Sequence, residues 1–191
     1  MKKRSVWIII GAIVLLLALL FIPSYNGFVN KEEDVDQAYA QIETQLQRRQ
    51  DLVPNLVNTV KGYASQEKEV IKSVSDARAK LAGADSVSEQ ADADGELSSA
   101  LSRLLVVVEN YPELKSNQNF QQLADELAGT ENRLAVARKE YNETVSNYNR
   151  SVKRLPGSIV ASLFGFDEKA YFKASEGAEQ APTVDFGEES E

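Results

Sequence analysis

Cysteine and histidine are both absent from the 191 residues. That removes thiolate nucleophiles, Cys/His zinc sites, Ser-His-Asp triads and imidazole acid–base chemistry together. The lack of cysteine is compatible with any redox compartment and decides none. No G-x-G arrangement and no GK[ST] run occurs, so both common phosphate-cradling loops are missing. Basic side chains are the minority, 21 against 29 acids, for a net charge of −8. Three of those 21, Lys2, Lys3 and Arg4, stand before an apolar run, so the remaining body is more acidic still. Such a body lacks the basic stripe that a nucleic acid needs, and an anionic membrane surface repels it. Serine and tyrosine hydroxyls are plentiful, yet none has a base beside it in the sequence pattern. No enzymatic activity and no cofactor is expected.

What is present begins with VWIIIGAIVLLLALLFI at 6–22, an uncharged run. At 1.5 Å per residue it would span about 25 Å, the short end of the range for a membrane helix. Trp7 and Tyr25 bracket it, where aromatic rings favour the membrane–water interface. A cleaved signal peptide and a buried core helix are the rival readings. The following PSYNGF has no small-x-small cleavage site and no lipidation cysteine, and the run is too apolar for one face of a bundle helix. A retained single-pass anchor is therefore expected. The positive tail at 1–5 puts the N-terminus in the cytoplasm and the acidic body on the far side of the membrane.

Heptad periodicity dominates the rest. Over 116–155, Leu127, Leu134, Tyr141, Tyr148 and Leu155 form one row, and Ala124, Glu131, Arg138, Val145 and Val152 its companion. Small residues flank the rows: Thr130, Ala137, Thr144 and Ser151 on one side, Ala128, Ala135, Asn142 and Asn149 on the other. Small flanks let neighbours close in from several sides, which predicts a long helix in a bundle rather than a two-stranded coiled coil. An earlier long helix is expected from an Asn30 cap with Glu33 to about Tyr63, on the rows Val35, Ile42, Arg49, Leu56 and Tyr39, Leu46, Val53, Val60. Pro54 should kink it. Two short helices lie between: one capped at Ser65 and ended by Gly83, another from Leu97 to the stop at Pro112. ADSVSEQADADG at 84–95 reads as a mobile loop; its D-A-D-G is half a calcium loop, but Leu101 stands where the closing glutamate belongs. The fold class is all-α: an N-terminal transmembrane helix, an elongated antiparallel bundle over 23–172, and a disordered acidic tail at 173–191.

Four charged residues occupy positions where the pattern wants apolar ones: Arg49, Arg78, Glu131 and Arg138. Glu131 and Arg138 are about 10 Å apart along one helix, read as too far to pair, so Glu131 should accept from Arg49 or Arg78 across the bundle and fix register. The functional alternative is a polar site for a ligand or partner segment; one Glu among three Arg has the wrong sign for a cation. Tyr141 and Tyr148 read as core aromatics whose hydroxyls seek partners. Ile159, Leu163, Phe164 and Phe166 form an apolar segment that antiparallel helices return to the membrane-proximal end, either packed on the bundle or set in lipid.

Several phrases together resemble the LemA family. They are Tyr25-Asn26, QLQRRQDLVPNLVNTVKGYA at 45–64, DARAKL at 76–81, YPELKSNQNF at 111–120, TENRLAVARKEYNETVSNYN at 130–149 and LPGSIVASLFGF at 155–166. The likeness runs in order from about residue 5 to 172. It implies a bacterial single-pass membrane protein with a helical soluble domain and no established biochemical activity. Members often travel with membrane proteases of the HtpX type. The expected function is thus a membrane-anchored scaffold or adaptor of the cell envelope, with a regulator or chaperone-like helper of an HtpX-type protease as the alternative. The expected partners are the lipid bilayer and envelope proteins, with self-association into a homo-oligomer left open.

Overall fold

The computed structural model describes residues 2–173, with several side chains before position 21 outside the description. The expected disordered tail at 173–191 lies, beyond Lys173, outside the described residues. Among the described residues every regular element is helical: α1 (Lys2–Tyr63), α2 (Lys68–Ala82), α3 (Val87–Val108), α4 (Pro112–Lys115), α5 (Gln118–Lys153) and α6 (Gly157–Phe164). One compact unit joins the chain up to Leu52 with Gln122–Tyr171; a second holds Val53–Gln121.

α1 corrects the first boundary. Anchor and bundle helix were expected as separate elements with a cap at Asn30, yet the helix is unbroken from Lys2 to Tyr63. The reason lies in packing. Phe28 stands one heptad before Val35 and is as buried, so the seam reaches back through the PSYNGF stretch. Pro54 likewise stays inside the helix, one backbone bond poorer. Among the described residues no helix is long and apolar enough to cross a membrane, so the anchor at 6–22 rests on the sequence run.

In the second unit α2 and α3 pack against each other as a hairpin, with Ile71, Val74, Ala77 and Leu81 meeting a face that includes Leu97, Leu101 and Leu104. α2 begins after Glu67, not at a Ser65 cap, and has no side-chain cap. Gly83 closes it as expected. The larger correction concerns 84–95. Ser86 caps α3 by accepting the Glu89 N–H at 3.2 Å, and Glu89 returns a carboxylate to the Ser86 N–H at 3.1 Å. This reciprocal box starts the helix at Val87, ten residues before Leu97. Ala91, Ala93, Asp94 and Gly95 are then buried as its interface, their small size allowing close approach; Asp94 is partnered there. The D-A-D-G run is helix, not an ion-binding loop. Tyr111 donates to Glu67 at 2.8 Å, and Asn117 donates to the Tyr63 hydroxyl at 2.9 Å. Asn117 also opens α5 by accepting the Phe120 N–H at 3.0 Å.

In the first unit α1 and α5 pair antiparallel. Arg49 faces Glu131, Tyr39 faces Tyr141 and Lys31 faces Ser151, so moving down one helix moves up the other. Val35, Ile42 and Leu46 supply the α1 core, and Leu134, Val145 and Tyr148 that of α5. Beyond α5 the chain turns at Pro156. A Cβ at Gly157 would collide with the Ser151 carbonyl, which is why glycine stands there. Gly165, at φ 78°, ends α6 in the left-handed conformation.

Candidate functional site

The two flanks of the α1–α5 pair are unlike. One is closed by the segment at 165–171. Asn149 donates to the Lys169 carbonyl and accepts the Lys169 N–H, both at 2.9 Å. The Tyr141 hydroxyl donates to the Ala170 carbonyl at 2.8 Å. Lys169 reaches Glu32 at 2.5 Å and Lys153 reaches Glu168 at 2.7 Å, and each lysine is held above its ordinary pKa first by that hydrogen bond. Phe166 stacks on Phe28 with centroids 5.0 Å apart and planes at 17°, and Phe28 meets Tyr148 edge-on.

The other flank is open. A groove of about 1370 Å³ runs along it, with Gln37, Gln41 and Gln45 from α1 facing Arg133, Glu140 and Thr144 from α5. Arg133 bridges it by donating to the Gln45 side-chain oxygen at 3.2 Å. Lys31 donates to the Ser151 hydroxyl lower down, and that hydroxyl itself donates to the Asn147 carbonyl at 3.1 Å. A lysine that donates to a serine already giving its proton elsewhere is a structural tie, not a nucleophile with its base. Among the described residues no group of three or more His, Cys, Asp or Glu could hold a metal. Amides, hydroxyls and mixed charges over an Ala38 and Ala137 floor can hydrogen-bond an elongated segment laid between the helices.

The polar seam divides. Arg49 Nη1 lies 2.6 Å from Glu131 Oε2, with the arginine side chain 5% exposed and the glutamate 41%. That oxygen has no hydrogen bond of acceptable angle, so charge rather than alignment holds the pair. Arg138 also approaches Glu131, at 3.9 Å along the same helix, which corrects the view that two turns are too far. Helical rise alone ignores the reach of two long side chains. Arg78 stands on α2 in the second unit.

Tyr141 and Tyr148 are both in the core, and burial raises the pKa of each. Their hydroxyls differ: Tyr141 has the Ala170 carbonyl, whereas that of Tyr148 is buried without a hydrogen-bond partner. Tyr39, missed as a site residue, packs its ring 5.5 Å from Tyr141 and is pushed up to about 12, first by burial and then by Glu43. Only its place in the heptad row pointed to it. In the apolar segment Phe164 lies 4.9 Å and Phe166 5.7 Å from the Tyr25 ring, while Ile159 and Leu163 face outward.

Among the described residues the protein is thus all-helical, with an antiparallel helix pair strapped on one flank and grooved on the other. The chain belongs to the LemA family, whose profile matches residues 38–186. Among its relatives is magnetosome protein MamQ 2 of Paramagnetospirillum magneticum, 30% identical over 175 residues, covering 78% of this chain and 64% of that protein. MamQ of Magnetospirillum gryphiswaldense is 28% identical over 174 residues with the same coverage. Protein LemA of Metamycoplasma hominis is 21% identical over 158 residues, covering 82% of this chain and 72% of its own. The chain thus spans about 64% of the length of the MamQ relatives. None of these names carries an enzymatic activity.

Proposed function

We propose that the chain is a membrane-anchored scaffold or adaptor of the bacterial cell envelope, non-catalytic, that holds a helical segment of another envelope protein in the open α1–α5 groove. One observation carries this reading: the same helix pair is closed by 165–171 on one flank and left open on the other. Ala38, Ala137, Thr144 and Ser151 leave room for a third helix to approach, and the glutamines offer donors and acceptors along its length. The anchor reading draws on the uncharged run at 6–22, where Trp7, Ile8, Leu16 and Leu19 stand largely exposed on the protein. Lys2, Lys3 and Arg4 favour a cytoplasmic N-terminus with the helical body outside. Protease added to intact spheroplasts should then digest the body, and protection until the membrane is opened would reverse the orientation.

Crosslinking of the full-length chain in intact cells, read by mass spectrometry, tests the role. A scaffold gives several recurrent envelope partners joined through the groove helices. One dominant membrane protease, with altered substrate turnover on deletion, would favour the helper role instead. Adducts between copies of the chain alone would make a homo-oligomer of it.

A further inference from the structure

α6 is apolar on two opposite faces. Gly157, Val160 and Ala161 turn inward, and the latter two are fully buried. Ile159 and Leu163, one turn apart on the other side, are 53% and 66% exposed, and Leu155 extends their row at 76%. Only the stripe of Ser158 and Ser162 is polar, so the apolar outer face of Ile159 and Leu163 calls for cover.

The contacts of α6 fix how it lies. At its start, a Cβ on Gly157 would sit 3.3 Å from the Phe28 ring; at its end, Phe164 packs on Tyr25. Tyr25 and Phe28 are only three residues apart on α1, a rise of about 4.5 Å, whereas eight residues of α6 extend about 12 Å. Both ends of α6 are thus held against the single turn of α1 between Tyr25 and Phe28. Tyr25 comes just three residues after Ile22, where the uncharged run ends. Arg150 and Arg154 at the basic end of α5 stand just before α6, while Lys153 between them is paired with Glu168.

We propose that α6 is an interfacial helix, a second membrane contact that sets Leu155, Ile159, Leu163 and the open side of Phe164 among lipid headgroups and upper acyl chains. This rests on the anchor reading: if α1 crosses the bilayer, a helix held against its exit turn sits at the membrane surface. Arg150 and Arg154 suit the phosphate layer there. A second copy is the poorer occupant, because four side chains cover roughly a few hundred Å², against about 800 Å² per partner in a stable interface.

Trp7 is the sole tryptophan, which allows both readings to be tested separately. The full-length chain is reconstituted in phosphatidylcholine vesicles with or without acyl chains brominated near the headgroup or deep in the core. The unaltered protein reports on the anchor through Trp7. The variant Trp7→Phe with Leu163→Trp reports on α6, and Trp7→Phe with Ile159→Trp repeats it should the first fold poorly. We expect loss of emission at 163 or 159, greater with shallow than with deep bromines. Quenching of Trp7 with none at 163 and 159 would overturn the interfacial helix and leave the anchor standing. Absence of quenching at all three positions would overturn both.

Discussion

Arg49 sits almost wholly inside the α1–α5 seam while its partner Glu131, 2.6 Å away, opens to water at the rim. The pair is thus lopsided, and its two halves are not equivalent as targets. Removing one partner of a fully buried pair costs about 3–5 kcal/mol. Here water reaches the glutamate, so Glu131→Gln should cost less, about 1–3 kcal/mol, by leaving a desolvated guanidinium poorly compensated. Arg49→Met removes the buried charge itself and leaves a carboxylate on a side chain partly open to water, so it should cost less than Glu131→Gln. Denaturant unfolding of the detergent-solubilised chain checks the order, with exposed Glu140→Gln as reference. A larger loss for Arg49→Met would show that its packing, not its charge, matters.

Two tyrosines one heptad apart should respond oppositely to loss of a hydroxyl. Tyr141→Phe strands the Ala170 carbonyl and should lower stability by about 1 kcal/mol. Tyr148→Phe deletes a buried hydroxyl with no hydrogen-bond partner, and should be neutral or stabilising by up to about 1 kcal/mol. Thermal unfolding of both variants decides it. Equal losses would mean that the Tyr148 hydroxyl has a partner in solution.

The raised pKa of Tyr39 has a direct consequence at high pH. The folded chain holds this proton more tightly than the unfolded chain does, so the associated stability is complete below the ordinary value of 10.0 and is lost as pH rises towards about 12. Tyrosinate absorbance should show a late fraction near pH 12, and Tyr39→Phe should diminish it. An unchanged late fraction would assign it to Tyr111, Tyr141 or Tyr148, which are raised as well.

Ser86→Ala should destabilise by about 1 kcal/mol through loss of the α3 cap, and faster amide exchange should be concentrated at the start of α3. Uniform exchange along α3 would contradict a capping role.

The heptad rows make most of the helical core legible in the sequence alone. Ile42, Leu46, Val53, Leu56 and Val60 on α1, and Leu134, Tyr141, Val145 and Tyr148 on α5, are buried as the spacing required. The start of α3 was harder, because its interface is made of alanine, glycine and aspartate, which carry no apolar period. The Ser86-x-x-Glu89 box was the available signal. The open groove was not readable at all. Ala137, Thr144 and Ser151 on one flank look much like Ala135, Asn142 and Asn149 on the other. What separates them is the segment at 165–171, an aperiodic stretch that finds Asn149 through backbone groups the sequence does not display. The pairing of Glu131 with Arg138 escaped for a simpler reason, since spacing along a helix axis omits side-chain length.

The most direct test of the groove as a partner site compares two positions on one helix. Gln41 lines the groove, whereas Glu43, two residues on, projects about 200° away around the helix. A photo-crosslinking amino acid is placed at position 41 or 43 of the full-length chain, and native membranes are irradiated. A groove that holds a partner segment yields a discrete heavier adduct from position 41, weakened by Ala137→Trp in the groove floor, and little from position 43. Equal adducts from both positions, or none from 41, would contradict the groove as the binding surface.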